Sequence, residues 1–297
     1  MGSYLVQSAI AHEDVDNRDS EVSMLGPDEP RELWTWAAHP DFTIGRVRRT
    51  ANVVTEWTVT AQGSLSLPCI LDCVPVAGGF PITNSDAVVC PKGARGFTLV
   101  RGHTDEIVIT ETSTAKIGLG AVPGREILEC NLDTLDEIRQ WCVDRLDASQ
   151  TARVEVDSAE LREMVERLLL QGHPKREGQA TAELVEQALF FINDHEPTSA
   201  EAVWEALGVS RSTLYKAFSD VLEISPSRWM TIKRLNRARV DILRNLTPVA
   251  EAAQGQGFHH AGNFARYYRE LFGERPRTTF EMARVRAGTN GRQPNRL

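Results

Sequence analysis

The sequence predicts an α+β fold, in which a mainly β N-terminal domain that also carries helices precedes an all-α domain. Three observations predict it. Short runs of β-branched residues, separated by glycine and asparagine, fill residues 41–111. Two amphipathic helical patterns occupy residues 134–170, and residues 181–286 are helical almost throughout. With 297 residues, the chain is long enough for two domains that each bury a core.

Changes of composition place the domain boundaries. Residues 1–30 are acidic and lack a hydrophobic period, so we expect a flexible arm. The N-terminal domain covers residues 31–171, and the Gly- and Pro-containing residues 172–180 form a linker. The helical domain covers residues 181–287, and we expect residues 288–297 to be a disordered tail.

The strand runs of the N-terminal domain imply a small barrel or a sandwich. Residues 53–59 and 106–110 are typical of its strands. The helices at 134–146 and 158–170 each have one apolar stripe, which packs either on the sheet or on a second copy of the chain. We expect one of them to contribute to a homodimer. Three large aromatic residues are interpreted as core, with a ligand pocket as the alternative: Trp57, Phe80 and Phe97.

No pattern in this domain predicts a catalytic residue, a cofactor or a metal ion. Cys69 and Cys73 are the candidate thiol sensor or metal pair, but no second pair accompanies them. We therefore interpret both as core or turn residues. His39 and His103 are isolated, so the histidine cluster of a cupin-type metal enzyme is missing.

The chain carries no signal for export or for a membrane. No apolar run approaches the roughly 20 residues that cross a bilayer. The N-terminus lacks a basic segment followed by an apolar core. Five cysteines are a sparse, odd set for a disulfide framework and suit a reducing compartment. We expect a cytoplasmic protein with no membrane partner.

The net charge of −8 is an average over unlike parts. Residues 197–287 hold 14 Lys and Arg against 9 Asp and Glu, whereas residues 1–196 hold 17 against 32. Residues 1–196 are acidic and residues 197–287 are basic. We therefore expect only the basic part to contact the phosphates of a nucleic acid, because charged partners respond to the local electrostatic field.

A helix-turn-helix pattern begins the basic part. Residues 200–207 form a first helix, 208–210 a tight turn with glycine, and 211–218 a second helix. With Leu214 and Phe218 facing the core, Ser212, Lys216 and Ser219 lie on the opposite, polar face, and Tyr215 lies on the flank. The outer face is polar and positive, as contact with a DNA groove requires.

A second copy of the pattern follows. Residues 249–258 and 261–269 repeat the helix, turn and helix, with Phe264 and Tyr268 inside and Arg266 and Arg269 outside. Both inward pairs, 214 with 264 and 218 with 268, are separated by 50 residues. The repeat predicts two recognition helices with the same arrangement of buried and exposed residues.

A connecting helix separates the two motifs. Ser225 as N-cap with Pro226 at the first helical position is a strong start signal, and the helix runs to about Arg244. A helix of about 18 residues spans about 27 Å, which suits recognition helices that enter groove segments about 34 Å apart. Lys233 and Arg237 lie on its polar face, as solvated side chains or as phosphate contacts.

These residues together resemble the AraC/XylS family of transcription regulators. The resemblance covers residues 184–286, with five specific pieces: 207–218 (LGVSRSTLYKAF), 225–226 (SP), 234–239 (RLNRAR), 257–258 (GF) and 263–276 (NFARYYRELFGERP). It implies promoter binding, commonly activation, and an N-terminal sensor or dimerisation domain that is often a cupin-like barrel. Residues 84–93 are similar to a strand and turn of such barrels.

The chain departs from the family pattern at several positions. Glu223 stands where glycine usually closes the first recognition helix; because a left-handed cap there costs a non-glycine residue roughly 1 kcal/mol, we expect a different turn. Ala252 and Gly255 replace larger residues, and Ala261 and Gly262 offer no polar side chain. We therefore expect the second motif to pack weakly and the first to supply most of the sequence specificity.

The candidate DNA contacts divide by role. We expect base-edge contacts from the outer faces of both recognition helices and phosphate contacts from the flanking arginines. The base-edge candidates are Ser212, Tyr215, Lys216, Asn263 and Arg266, and the phosphate candidates are Arg211 and Arg269. Arg239 lies within the apolar stripe of the connecting helix, so we expect a structural ion pair there.

The sequence thus predicts a DNA-binding transcription regulator, most simply an activator, and not an enzyme. Its expected partners are double-stranded promoter DNA, RNA polymerase, a second copy of the chain and a small-molecule effector of the N-terminal domain. Two alternatives stay open: an enzyme joined to a DNA-binding domain, and an interaction adaptor with a vestigial one. A repair enzyme that accepts alkyl groups on a zinc-thiolate cluster would need four grouped cysteines, and these five are scattered.

Overall fold

A computed structural model describes residues 4–6, 18–27, 31–38, 41–71, 76–77, 80–112, 117–122, 124–149, 158–175 and 179–290. Residue contacts divide the chain into two compact units. One comprises Met1–Val22 and Pro30–Leu189, and the other comprises Ser23–Glu29 and Phe190–Leu297. A β-rich part followed by a helical part is the architecture that the sequence predicts, and this prediction is confirmed.

The first unit is built on an antiparallel sheet. Its central ribbon pairs the two longest strands in register from Phe42 opposite Glu111 to Thr58 opposite Arg95. Along the central path of the sheet the order is β1-β3-β4-β9-β5-β8-β10-β11. In the described residues the strands are β1 Tyr4–Val6, β2 Arg18–Met24, β3 Arg31–Ala38, β4 Phe42–Val59, β5 Gly63–Leu71, β6 Val76–Ala77, β7 Phe80–Pro81, β8 Asp86–Pro91, β9 Arg95–Glu111, β10 Glu126–Glu129 and β11 His173–Pro174.

Two helices cover this sheet, as the sequence predicts. Helix α1 spans Leu132–Ser149 and helix α2 spans Ser158–Gln171. Their apolar stripes share one core with the sheet, so both helices pack within the unit. The homodimer contact of one helix stays a prediction. Fully buried members of this core include Leu65, Ile107, Leu135, Ile138, Leu161 and Val165.

The aromatic residues of the sheet are core residues. Trp57 and Phe80 belong to a second buried cluster, and Phe97 has no exposed surface. The indole nitrogen of Trp57 donates a hydrogen bond to the Thr98 hydroxyl at 3.1 Å, which satisfies its polar atom. The core interpretation of these side chains is therefore confirmed.

Three boundaries differ from the sequence-based prediction. Residues 18–24 of the predicted flexible arm form β2, which pairs with β4, because unpaired strand edges recruit further strands. In the predicted linker, residues 173–174 pair with Leu128 and Glu129. A helix continues through residues 288–290 of the predicted tail, and residues 291–297 lie outside the described residues.

The second unit is helical. A long helix, α6, is central to it, and its buried face includes Trp229, Ile232 and Leu235. Ser225 accepts a hydrogen bond from the backbone N–H of Arg228 at 3.2 Å, which confirms the predicted N-cap. The helices that follow α2 are α3 Gln179–His195, α4 Ala200–Ala206, α5 Arg211–Leu222, α6 Pro226–Arg244, α7 Val249–Gly255, α8 Ala261–Phe272 and α9 Pro276–Asn290.

A short segment from the N-terminal part of the chain belongs to this helical unit. The buried side chain of Asn236 accepts a hydrogen bond from the backbone N–H of Met24 at 2.9 Å and donates one to its carbonyl at 3.2 Å. Pro27 packs close to Gly273, at the end of α8. These contacts also correct the prediction of a flexible arm, because the side-chain amide of Asn236 holds the backbone of Met24 through two hydrogen bonds.

The first recognition helix ends with a strained cap. Glu223 adopts the left-handed conformation at φ 55° and ψ 21°, and its N–H bonds the Ser219 carbonyl. The expectation of a different turn is therefore wrong. The turn keeps its left-handed shape with a glutamate, because the C-terminal packing of α5 and the start of α6 define the backbone path.

Glu223→Gly is expected to stabilise the protein by about 1 kcal/mol, because glycine adopts a positive φ without steric cost. Urea unfolding followed by far-UV circular dichroism measures the change. Glu205→Gly, inside α4, is the matched control and should lose about 1 kcal/mol. An unchanged or lowered stability of Glu223→Gly would contradict a strained cap.

Candidate nucleic-acid interface

Helix α5 presents a buried face and a polar face. Ser210 caps it by accepting a hydrogen bond from the Thr213 N–H at 3.1 Å. Leu214 and Phe218 are fully buried, while Ser212 and Lys216 are exposed on the other side. The sequence-based assignment of faces is confirmed for this helix.

Lys216 is an exposed candidate on α5. Its side chain is 77% exposed, and its ammonium group lies 2.9 Å from Asp220, one turn later. An exposed pair at this spacing contributes only about 0.3–0.5 kcal/mol. The ammonium group therefore exchanges partners at little cost.

Tyr215 is held on the flank of α5. Its hydroxyl is hydrogen-bonded to the Ser227 hydroxyl at 2.9 Å, and its ring lies 6.4 Å from that of Trp204. The Arg211 guanidinium lies 5.2 Å from the Tyr215 ring. These contacts orient Arg211 and Tyr215 together, beside the exposed Lys216.

Helix α8 repeats this arrangement. Phe264 and Tyr268 are buried, whereas Asn263, Arg266 and Arg269 are exposed. The Arg266 guanidinium lies 3.4 Å from Glu270 and 4.3 Å from the centre of the Tyr267 ring. Arg266 therefore occupies on α8 the place that Lys216 occupies on α5.

The duplication extends beyond the residues that the sequence pattern identifies. The pairs Lys216–Asp220 and Arg266–Glu270 are 50 residues apart, as are the left-handed caps at residues 223 and 273. The carboxylates of Asp220 and Glu270 were missed as members of the interface, although their spacing of four residues from a cation marks them.

Both tight turns have the same geometry. Gly208 and Gly257 have φ values of 66° and 74°, which favour glycine. Each turn is closed by a backbone hydrogen bond of 3.0 Å from the residue that follows the glycine, to Trp204 in the first motif and to Ala253 in the second. The turns therefore set the second helix of each motif at a similar angle to the first.

Two basic residues of α6 lie elsewhere than predicted. Lys233 is buried and donates a hydrogen bond to the Asn193 side chain at 3.2 Å. Arg237 donates to the same amide at 2.8 Å and pairs with Glu196. Both side chains fasten α6 to the end of α3, and Lys233 is buried there instead of solvated. Their partners lie about 40 residues away in the sequence, and a local pattern does not find them.

Arg239 forms the structural ion pair that the sequence predicts. Its guanidinium lies 2.6 Å from Glu274 and 3.3 Å from the Tyr268 hydroxyl. Tyr268 in turn donates to Thr279, and Thr279 donates to Glu274. Burial lowers the pKa of Arg239, but Tyr268 and Glu274 outweigh burial and hold the pKa above its ordinary value. This network ties α6, α8 and α9 together.

Of the candidate thiol and metal residues, Cys69 and His103 are described, whereas His39 lies outside the described residues. Burial raises the pKa of Cys69 to about 11, so the thiol stays protonated at neutral pH. Cys73 lies outside the described residues. Among the described residues, no three His, Cys, Asp or Glu side chains converge as metal ligands. Nor is any described helix both long and apolar enough to span a bilayer.

Residues 203–282 match the family described as "Helix-turn-helix domain". The chain is 35% identical over 98 residues to the probable thc operon regulatory protein of Rhodococcus erythropolis, across 31% of this chain and 30% of that one. It is 36% identical over 90 residues to the HTH-type transcriptional regulator GbdR of Pseudomonas aeruginosa, across 30% and 24%. The helical domain is thus similar to a helix-turn-helix domain and to those of transcription regulators, and this supports the resemblance to the AraC/XylS family.

Solved structures also resemble this chain, among them one over the helical domain. A probable AraC family transcriptional regulator from Rhodopseudomonas palustris is 33% identical, with a TM-score of 0.32, across 34% of this chain and 96% of that one. The matched region spans less than a third of either curated relative. The matches of the family model and of the curated relatives therefore concern the helical domain alone.

Proposed function

We propose that the protein is a sequence-specific DNA-binding transcription regulator, most simply an activator, that inserts α5 and α8 into successive major-groove segments. One observation carries the proposal. Both recognition helices expose a cation at the equivalent position, Lys216 and Arg266, beside a polar residue near the helix start. A helix of 19 residues, α6, lies between them in the sequence, and its length of about 28 Å approaches the groove repeat of about 34 Å.

The proposed base contacts follow from chemistry. Lys216 and Arg266 suit the O6 and N7 acceptors of guanine, and Asn263 suits adenine. The Ser212 hydroxyl can donate or accept a hydrogen bond, so it suits either type of base. Tyr215 contributes from the flank of α5, where Ser227 holds its hydroxyl.

Arg211 and Arg269 are the proposed phosphate contacts. Both are exposed beside the recognition faces, and such contacts position the protein without reading sequence. The carboxylates of Asp220 and Glu270 keep Lys216 and Arg266 extended along the helix in the free protein. When the protein binds DNA, guanine acceptors replace these two carboxylates as partners of the cations. The loss of the ion pairs costs little free energy because both pairs are exposed.

The remaining parts of the proposal concern the whole chain. We propose that the N-terminal unit responds to a small-molecule effector, that the regulator acts as a homodimer, and that it contacts RNA polymerase. These roles place it in the cytoplasm with the promoter DNA. We propose that the protein acts as a regulator and not as an enzyme, because the curated relatives of the helical domain are named as regulators.

DNA binding is expected to be specific and to depend steeply on salt. Fluorescence anisotropy with a duplex from the promoter of its own gene is the measurement, with a scrambled duplex of equal length as control. We expect the promoter duplex to bind about 10³-fold or more tightly than the scrambled one. Between about 50 and 200 mM salt, affinity should fall by about 10³-fold or more if six or more phosphates are contacted.

Two outcomes would contradict this function. Equal affinity for both duplexes would exclude sequence-specific recognition. Binding of neither duplex at any salt concentration would favour the adaptor alternative, in which the helical domain has lost its DNA contacts.

A further inference from the structure

An open groove of about 640 Å³ lies within the second motif, between α7, α8 and the start of α9. Alanine side chains and one phenylalanine form most of its floor. They are Ala250 and Ala253 of α7, and Ala261, Phe264 and Ala265 of α8. The groove is therefore apolar at its base, although it lies in a basic part of the chain.

The groove exists because these positions are small. An alanine ends at its Cβ atom, so Ala250, Ala261 and Ala265 leave room that a leucine or lysine would occupy. All three are exposed, so no neighbouring element fills the space in the described part of this unit.

The rim of the groove is cationic. Four arginines line it: Arg266, Arg269, Arg275 and Arg277. Arg266 and Arg277 pair with Glu270 and Glu281 one turn away on their own helices, at 3.4 and 2.9 Å, and both pairs are exposed and weak. Among the described residues that line the groove, none is an aspartate or a glutamate.

We propose that this groove binds an amphipathic carboxylate, a compact apolar body that ends in one carboxylate group. Its volume falls within the range of about 300–1,000 Å³ that small-molecule sites occupy, with a mainly apolar wall and few charged groups. A guanidinium group matches a carboxylate with two parallel hydrogen bonds. The apolar body lies on the alanine floor, and the head group meets Arg275 and Arg277.

Occupancy of the groove competes with DNA. Arg266 and Arg269 belong to both the groove and the recognition face of α8, so a bound anion neutralises cations that DNA requires. This consequence rests on the proposed function. The binding of the carboxylate does not, because it is measured in the absence of DNA.

Calorimetric titration of the full chain with octanoate tests the site directly. Octanoate should release or absorb heat with a saturable isotherm, whereas acetate and octanamide should bind at least about tenfold more weakly, because each lacks one half of the recognition. Acetate that binds as tightly as octanoate would contradict the proposal that the apolar floor contributes to binding. Octanamide that binds as tightly as octanoate would contradict recognition of the carboxylate by the arginine rim. Absence of octanoate binding would contradict the site as a whole.

Variants locate the site. Arg275→Gln with Arg277→Gln should weaken octanoate binding by about tenfold or more, and Ala250→Leu should abolish it by filling the groove. Arg284→Gln with Arg286→Gln is the control, because it removes the same charge from exposed positions of α9 that do not line the groove. Thermal midpoints of all variants verify folding. Equal losses in the control pair would show a general charge effect and overturn the site.

Competition is measured by anisotropy of the promoter duplex. Octanoate should displace DNA from the unmodified protein and leave its affinity for Ala250→Leu unchanged. Displacement from both proteins, or from neither, would overturn competition at this groove. A failure of the proposed function would instead appear as absent DNA specificity before any octanoate is added.

Discussion

Lys216→Ala together with Arg266→Ala should abolish sequence-specific DNA binding without unfolding the protein. Each side chain is about half or more exposed and makes only a weak ion pair within its own helix. Its removal therefore disturbs little in the free protein. Loss of a good base contact costs about 1–3 kcal/mol, so the double variant should bind the promoter duplex about 10²- to 10⁴-fold more weakly. Anisotropy titrations with promoter and scrambled duplexes measure this.

The single variants test whether the two motifs are unequal. If the first motif supplies most of the specificity, Lys216→Ala should weaken promoter binding more than Arg266→Ala does. Arg284→Ala, an exposed arginine of α9, is the charge-matched control and should change affinity only slightly. Retention of full sequence preference by the double variant, with an unchanged circular dichroism spectrum, would refute the assignment of these residues as base contacts.

Glu274→Ala should destabilise the helical unit by about 3 kcal/mol. The Arg239 side chain is only 9% exposed, and the Glu274 carboxylate pairs with it at 2.6 Å. Removing one partner of a buried pair leaves a charge without compensation, which costs about 3–5 kcal/mol. Because Glu274 is 21% exposed and Tyr268 still accepts from Arg239, we expect the lower end of this range. Urea unfolding followed by far-UV circular dichroism measures it.

Two further variants isolate the ion pair. Glu270→Ala removes an exposed carboxylate of α8 and should change stability by about 0.5 kcal/mol or less. Arg239→Met combined with Glu274→Leu should be less destabilising than Glu274→Ala alone, because no buried charge is left behind. A double variant as unstable as the single one would show that packing, and not charge, explains the loss.

Local sequence patterns predicted most of the helices of the second unit and the buried and exposed faces of α5 and α8. Hydrophobic periodicity placed α5 and α8 and assigned Leu214, Phe218, Phe264 and Tyr268 to the core, because each helix buries one face regardless of its distant neighbours. The cap at Ser225 and the glycine turns follow from backbone chemistry over a few residues.

Several features that depend on distant partners were not predicted, although the ion pair of Arg239 was. Lys233 and Arg237 share the polar face of α6, and only the position of Asn193 on α3 shows that they are fastening contacts. Residues 18–24 lack a strong pattern of their own, and β4 supplies the hydrogen-bonding edge that makes them a strand. The groove of the second motif also depends on three helices that meet.

The sequence by itself therefore determined the order of domains, the duplicated motif and the exposed cations at residues 216 and 266, because helical periodicity is a local property. Only the tertiary structure decided which charges are buried, which are paired and where space is left between helices. Those outcomes depend on the distances between side chains that are far apart in the chain. The left-handed Glu223 illustrates the limit, since local preference opposes the conformation that the surrounding helices impose.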